Sequence, residues 1–326
     1  MELIRGIHNI KSHHKGCVLS IGNFDGVHLG HQQVLRRLCQ HAEVLDLPAV
    51  VMTFEPQPME FFAKQSAPAR LTRLRDKFVK LAKCNIDRLL CVNFNQSFAN
   101  LTPDAFIRDL LIANLGVKYL VVGDDFRFGK NRQGSFDDLK LAGQQYGFEV
   151  VSTDSFCMHT PKHNAQPDSI RVSSTAIRKA LAQDHLPEAA AMLGRDYSIN
   201  GRVAHGRKLG RTIGFPTANI ALKRNVSPVS GVYVVKIIDG NQQVVGGVAN
   251  IGNRPTVNGV RQQLEVHLFD FQQNIYGKQL EVVLLHKLRD EKKFDNFELL
   301  KQQIDLDAQA ARVWLLEHNI LSEPGC

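Results

Sequence analysis

The sequence predicts an α/β protein of two domains: a parallel sheet with helices on both faces, then a small antiparallel β-barrel with a closing helix. Its 326 residues exceed the usual size of a single hydrophobic core. As far as about residue 185, short apolar runs alternate with helical patterns, which is typical of parallel sheets. Beyond that point, apolar and polar residues alternate along segments separated by turns. We therefore place the domains at residues 1–186 and 187–326.

The elements of the first half follow from runs of apolar residues and from helical spacing. Strands are predicted at residues 18–21, 49–52, 89–92, 119–122 and 149–151. Helices are predicted at residues 31–43, 71–83, 103–115 and 136–146, and a further helical run starts near Ser174. Because ligands of such sheets bind at the carboxyl ends of the strands, the turns that follow the strands are the candidate functional segments.

The second half predicts mostly antiparallel strands. Residues 231–238 and 244–251 flank Asp239-Gly240, a dipeptide typical of two-residue hairpin turns. Further strands are predicted at residues 264–269 and 279–285, and a closing helix near residues 296–318.

Composition restricts the class of protein. The formal charge of +8 suits nucleic acid or polyphosphate substrates, but Lys and Arg are dispersed and lack interleaved aromatic residues, so we expect small-molecule substrates and no nucleic acid. No apolar run approaches the roughly 20 residues that span a bilayer, and the N-terminus lacks the apolar core of a signal peptide. We expect a cytoplasmic protein with no membrane partner. Its six cysteines form no C-x-x-C pair.

The most informative segment is G-N-F-D-G-V-H-L-G-H, residues 22–31, between a predicted strand and a predicted helix. The N-terminus of a helix offers unpaired N–H groups and a positive dipole end, which favour an anion. His28 and His31 lie three residues apart and would face the same oxyanions, and Gly30 lets a phosphate approach the main chain. This segment therefore predicts a phosphate site.

That segment resembles the H-x-G-H signature of the nucleotidyltransferase superfamily, and R-V-S-S-T-A-I-R at residues 171–178 resembles its second signature. With T-F-E-P and G-D-D-F-R-F-G, they resemble the FMN adenylyltransferase module of bacterial bifunctional FAD synthetases, which implies a Rossmann-like fold. The resemblance implies that the ATP-binding residues are His28, His31, Gly22, Phe24, Asp25, Gly30, Arg171 and Ser174. It also implies that Asp125 and Phe126 lie near the flavin or the nucleotide. Other phenylalanines either line an isoalloxazine site or belong to the core: Phe54, Phe62 and Phe128.

In the second half, a glycine-rich basic loop begins like a P-loop but has Leu209 where Ser or Thr is required. It leads into F-P-T-A-N, whose hydroxyl and amide oxygens, two residues apart on extended chain, would face the same way and suit Mg²⁺. Together with G-V-Y, G-V-A-N-I-G-N-R-P-T and E-V-H-L-F-D-F, these residues resemble the riboflavin kinase module. The resemblance implies ATP and Mg²⁺ binding by Gly206, Lys208, Gly210, Pro216, Thr217 and Asn219, the last two as metal ligands.

The resemblance further implies that Glu265 is the catalytic base, which takes the proton from the ribityl 5′-hydroxyl. Glu265 lies between Leu264 and Val266, so it points away from the core if those two residues face inward. The hypothesis is a bifunctional enzyme that makes FMN from riboflavin and ATP, and then FAD and pyrophosphate from FMN and ATP. Two alternatives remain open: a nucleotidyltransferase with another acceptor, such as pantetheine phosphate or a nicotinamide nucleotide, and a basic nucleic-acid-binding protein. The sequence does not predict an oligomeric state.

Overall fold

A computed structural model describes residues 1–64, 66–123, 125–153, 156–160, 168–204, 217–222, 226–238, 243–256 and 259–320. The chain forms two compact units. The first comprises Met1–Pro68 and Thr72–Ser174, and the second Ala69–Leu71 and Thr175–Cys326. The boundary predicted at residue 186 therefore lies within the second unit.

The first unit contains a six-stranded sheet in the order β1-β4-β3-β2-β5-β6, with parallel pairing throughout. Its strands are β1 (Glu2–Arg5), β2 (Cys17–Ile21), β3 (Ala49–Glu55), β4 (Arg88–Asn93), β5 (Val117–Gly123) and β6 (Glu149–Thr153). The predicted parallel sheet is confirmed, and the five predicted strands correspond to β2 to β6. The edge strand β1 was missed because its four residues, E-L-I-R, contain no continuous apolar run.

Helices connect these strands: α1 (Leu29–Leu45), α2 (Pro58–Phe62), α3 (Leu74–Ala82), α4 (Gln96–Ala99), α5 (Pro103–Ala105) and α6 (Phe136–Tyr146). The helix predicted at residues 103–115 is helical, but its main part, Phe106–Asn114, is a π-helix. Short 3₁₀ turns lie at Ile7–Asn9, Ser12–His14 and Lys130–Arg132. A two-stranded antiparallel ribbon of β7 (Cys157–Thr160) and β8 (Asp168–Arg171) completes the first unit.

Alternate residues of each central strand pack on opposite faces of the sheet. Leu19 and Met52 belong to one buried cluster, whereas Val18 and Val51 belong to the other. In the sheet, β3 and β4 lie on one side of β2, whereas β5 and β6 lie on its other side. Sheets of this kind bind ligands at the point where the strand order reverses, so the carboxyl ends of β2 and β5 border the expected crevice.

The second unit begins with α7 (Ser174–Ala182) and α8 (Leu186–Leu193) and contains a closed six-stranded barrel in the order β10-β13-β12-β11-β14-β9. The strands are β9 (Ser198–Ala204), β10 (Thr217–Ala221), β11 (Gly231–Ile238), β12 (Val244–Thr256), β13 (Gly259–Leu268) and β14 (Gln279–Arg289). Every pairing is antiparallel, as predicted. The Asp239-Gly240 turn lies outside the described residues. Helix α9 (Phe297–Glu317) is capped by Asn296 and packs Ala311 and Leu315 against Val234 and Phe269.

Asp184 connects the segment before the barrel to the barrel itself. Its Oδ2 accepts a hydrogen bond from Lys287 Nζ at 2.7 Å, and its Oδ1 lies 3.2 Å from the hydroxyl of buried Tyr233. Burial, together with the nearby Asp184 carboxylate, raises the pKa of Tyr233, whose hydroxyl also lies 2.9 Å from the Ser230 carbonyl. Residues before 187 therefore contribute to the stability of the second unit.

We expect a fragment of residues 175–326 to be more stable than one of residues 187–326. The shorter fragment loses the Asp184 carboxylate, and a partly exposed ion pair such as Asp184–Lys287 contributes up to about 1 kcal/mol. Urea unfolding of both fragments measures the difference, and Asp184→Ala in the longer fragment should reproduce part of it. Equal unfolding midpoints for the two fragments would contradict this role of Asp184.

Candidate active sites

The first candidate site is the turn between β2 and α1, residues 22–28. Three of its residues adopt positive φ: Phe24 (46°), Gly26 (88°) and Val27 (43°). Such angles are unfavourable for non-glycine residues, at roughly 1–3 kcal/mol each, and persist only where the surrounding structure imposes them. Both side chains are buried, so packing imposes this turn shape on Phe24 and Val27.

His28 and His31 lie together at the start of α1. His28 is the N-cap residue, and its Nδ1 accepts a hydrogen bond from the main-chain N–H of His31 at 3.3 Å. The two rings stack with centroids 3.6 Å apart, and the centroid of the Phe24 ring lies 5.0 Å from that of His31. The prediction that both histidines stand at a helix N-terminus is confirmed by this geometry.

The His31 ring is uncharged near neutral pH and has a nitrogen that can hydrogen-bond to an anion. Burial lowers its pKa well below 6.5, and His28 and Lys77 lower it further. Its Nδ1 is buried and has no hydrogen-bond partner within the described part of the chain. A buried polar atom without a hydrogen bond lowers the stability of the folded state, so the position favours a ligand that supplies the missing partner.

Two glycines let these rings pack closely. A methyl group on Gly30 would lie 3.3 Å from the His28 ring and 3.4 Å from the Cβ of Phe156, and one on Gly22 would lie 3.2 Å from the Phe24 ring. These distances are tighter than most Cβ contacts. Side chains at the two positions would therefore displace the rings.

Asp25 connects the turn by hydrogen bonds to the segments that contain Thr72 and Ser174. Its carboxylate accepts hydrogen bonds from the main-chain N–H and the hydroxyl of Thr72, at 2.9 and 3.1 Å, and the Thr72 hydroxyl accepts one from the Gly26 N–H. The main-chain carbonyl of Asp25 accepts a hydrogen bond from the Ser174 hydroxyl at 2.8 Å. These contacts give Asp25 a role in supporting the turn, and they bring Ser174 of the second signature to the first.

The other residues expected in this site lie at different distances from the histidines. Arg171 is exposed at the end of β8, where it pairs with Cys157 of β7. Phe156, the residue before Cys157, lies beside Gly30. Asp125 is exposed in the turn after β5, and Phe126 is half-buried with its ring 5.8 Å from that of Phe128.

Lys77 is a polar residue of this site that sequence reasoning missed. Its side chain is only 1% exposed, and Nζ donates to the Thr53 hydroxyl at 3.2 Å. The Thr53 hydroxyl in turn lies 3.3 Å from the carbonyl of Asn23 in the turn. The helical spacing of Lys77 from Leu74 and Leu81, both on the inner side of α3, could have indicated burial.

Phenylalanine rings form a continuous cluster near the carboxyl ends of β3 and β4. Neighbouring ring centroids are 4.9–6.3 Å apart. The cluster comprises Phe54, Phe61, Phe62, Phe94, Phe98, Phe106, Phe126 and Phe128. Phe54, Phe106 and Phe128 are buried in the core, whereas Phe62 is 65% exposed. Of the phenylalanines considered for a flavin site, Phe54 and Phe128 are therefore core residues, and Phe62 is accessible.

The second candidate site lies on the outer face of the barrel. Leu264 and Val266 are fully buried, so Glu265 points away from the interior, as the alternation predicts. Register places Asn219 of β10 and Asn250 of β12 directly opposite Glu265, one on each side. Residues directly opposite one another share a face, so Asn219, Glu265 and Asn250 form a polar row across three strands.

This row provides hard oxygen donors. Oε1 of Glu265 and Oδ1 of Asn250 are shielded from solvent, and Asn219 Oδ1 accepts a hydrogen bond from Gln263 Nε2. Thr217 lies two residues before Asn219 on the same face, opposite His267. Hydroxyl, amide and carboxylate oxygens fit Mg²⁺. The other residues expected to bind ATP here, Gly206, Lys208, Gly210 and Pro216, lie outside the described residues.

Comparisons with known proteins match each half of the chain to a known family. A family model described as FAD synthetase matches residues 10–166, and one described as riboflavin kinase matches residues 193–315. A bifunctional riboflavin kinase/FMN adenylyltransferase of Escherichia coli K12 is 53% identical over 96% of this chain and 97% of the relative. The Haemophilus influenzae protein of the same name is 52% identical, over 96% and 99%.

A solved structure titled as a macrolide-efflux protein from Streptococcus pneumoniae is also similar. Its TM-score is 0.75 at 31% identity, over 96% of this chain and 99% of that one. Across the described residues of the present chain, no helix is both long and apolar enough to cross a membrane. The two family models and the full-length relatives lead to one conclusion: the chain belongs to the family of bifunctional riboflavin kinases/FMN adenylyltransferases.

Proposed function

We propose that the first unit transfers AMP from ATP to FMN, with His28 and His31 bound to the phosphates. The observation that carries this assignment is the buried Nδ1 of His31, which has no partner in the described structure and lies at a helix N-terminus. A neutral imidazole protonated at Nδ1 donates a hydrogen bond to a phosphate oxygen. Adenylyl transfer requires no protein nucleophile, because positioning and charge stabilisation suffice for displacement at phosphorus.

Ser174 and Arg171 complete this site in the proposal. The hydrogen bond from Ser174 to the Asp25 carbonyl keeps the second signature beside the turn, and the exposed Arg171 guanidinium is available to a polyphosphate. The exposed ring of Phe62 offers a flat apolar surface suited to the isoalloxazine of FMN. This surface favours a flavin acceptor over pantetheine phosphate, which has no planar ring system to stack.

The second unit, in this proposal, phosphorylates the ribityl 5′-hydroxyl of riboflavin. Glu265 accepts the proton of that hydroxyl. The hydroxyl oxygen attacks the γ-phosphorus of ATP, and ADP leaves. Thr217 and Asn219 hold Mg²⁺ together with ATP phosphates. When bound, the ion neutralises charge that develops on the phosphate oxygens. Since both reactions consume ATP, we place them in the cytoplasm, with small-molecule substrates and without nucleic acid.

Replacement of either histidine tests the first site. His28→Ala or His31→Ala should lower the rate of FAD formation from FMN about 10²-fold, because an oxyanion donor contributes on the order of 3 kcal/mol. FMN formation from riboflavin should not change. Chromatography of products measures both rates, with exposed His8→Ala as the matched control. Unaltered FAD formation in both variants would rule out the proposed role of the pair.

Titration of His31 tests its electrostatics. Because its folded-state pKa is well below 6.5, we expect its ring to remain neutral as the pH falls from 8 to about 6. The unfolded chain takes up a proton near pH 6.5, so this group's contribution to stability is present above that pH and is lost below it. NMR of labelled imidazole nitrogens follows the ring directly. A His31 midpoint at or above 6.5 would contradict the account.

Two substitutions separate the roles in the second site. Glu265→Gln should lower the rate of FMN formation about 10² to 10⁴-fold with little change in Mg-ATP affinity, because the amide cannot accept the proton. Thr217→Ala should weaken Mg-ATP binding as well as turnover. The measurement is apparent ATP affinity at several Mg²⁺ concentrations, with exposed Glu317→Gln as the control. Recovery of Glu265→Gln at high Mg²⁺, or normal ATP affinity in Thr217→Ala, would mean that the roles are reversed.

A further inference from the structure

Asn250 is the member of the polar row that the proposed kinase mechanism does not use. It lies in β12 between Ala249 and Ile251, which are buried in the barrel, so its side chain points to the outer face. Register pairs it directly with Glu265. Side chains in such pairs have Cβ atoms about 4.5–5.5 Å apart, so one small molecule can contact both.

Glu291 fixes the orientation of the Asn250 amide. Asn250 Nδ2 donates to Glu291 Oε1 at 3.3 Å, and the Glu291 carboxylate lies over Gly252, where a methyl group would overlap it. An ionised carboxylate only accepts hydrogen bonds, so the NH₂ group of Asn250 must face it. The amide oxygen is consequently directed to the opposite side.

That oxygen has no partner. Oδ1 of Asn250 is buried and accepts no hydrogen bond within the described residues. An unsatisfied buried acceptor costs roughly 1–3 kcal/mol, and a ligand that donates a hydrogen bond removes this cost. The position therefore favours a hydroxyl or amine donor beside Glu265.

Asn250 and Glu265 together present two acceptors next to each other. When an alcohol donates its proton to Glu265, a second hydroxyl on the adjacent carbon is the nearest donor of the same molecule. We propose that Asn250 Oδ1 binds the ribityl 4′-hydroxyl of riboflavin and thereby orients the 5′-hydroxyl towards Glu265. This inference rests on the kinase activity proposed for the second unit, and it identifies the terminal diol as the recognised group.

The two sides of Glu265 then have different tasks. Asn219 and Thr217 lie on the β10 side, where ATP and Mg²⁺ are proposed to bind, and Asn250 lies on the β12 side. An alcohol held on the β12 side with its terminal oxygen at Glu265 faces the nucleotide across the carboxylate. Asn250 is in this account a substrate-binding residue, and Glu291 is a positioning residue that acts through it.

The test compares riboflavin with its analogue that lacks the 4′-hydroxyl. The full-length wild-type protein should phosphorylate riboflavin with a kcat/KM about tenfold higher than that of the analogue, the size of effect expected for one hydrogen bond. Asn250→Ala should lower kcat/KM for riboflavin about tenfold and leave that for the analogue nearly unchanged. Gln279→Ala, an exposed amide on β14, is the matched control and should keep the wild-type preference.

Each alternative gives a distinct result. Equal kcat/KM for the two substrates in the wild type overturns the inference without any variant, even if Asn250→Ala does not fold. An equal loss for both substrates in Asn250→Ala overturns it as well, since a structural role predicts that pattern. Glu291→Gln should weaken the preference, because a neutral amide no longer fixes the orientation, and an unchanged preference contradicts its positioning role. Absence of riboflavin phosphorylation in the wild type overturns the proposed function itself.

Discussion

A strand buried on both faces can present polar groups only where it ends, whereas a barrel strand can present them at every second residue of its outer face. The first unit uses the end of a strand to present its polar groups, and the second uses the outer face of a barrel strand. In the first, β2 is buried along its whole length, and the histidines stand in the turn and helix that follow it. In the second, Glu265 and Asn250 lie in mid-strand, flanked by buried neighbours. Each site is thus rigid because the backbone that carries it is tied into a core.

The first site combines an uncharged His31 with cationic groups nearby. Burial keeps His31 uncharged, so the contribution to phosphate binding that we propose for it is a hydrogen bond, which does not depend on protonation near neutral pH. Positive potential comes from the N-terminus of α1, equivalent to roughly half an elementary charge, and from the buried ammonium of Lys77. The hydrogen bonds centred on Asp25 hold the turn in a backbone shape that its own residues disfavour.

Motif and periodicity predicted much of this arrangement, because strands, helix and alternation are local properties of the chain. The N-terminal position of His28 and the outward direction of Glu265 followed from spacing alone. Burial of Lys77 did not, since it depends on which side of α3 meets the sheet. The contact of Asp184 with Lys287 and Tyr233 joins residues distant in sequence, so local patterns could not predict it. The orientation of Asn250 likewise depends on Glu291, which only the fold brings near.

We propose that one chain carries two complete and separate sites, of which the second supplies the substrate of the first. A mixture of two full-length variants, His31→Ala and Glu265→Gln, tests this proposal. With riboflavin, ATP and Mg²⁺, neither variant alone should produce FAD at the wild-type rate, whereas the mixture should, because FMN released by one variant is adenylylated by the other. A mixture that forms FAD no faster than the variants do singly, although the Glu265→Gln variant still converts added FMN, would contradict separate sites linked by a free intermediate.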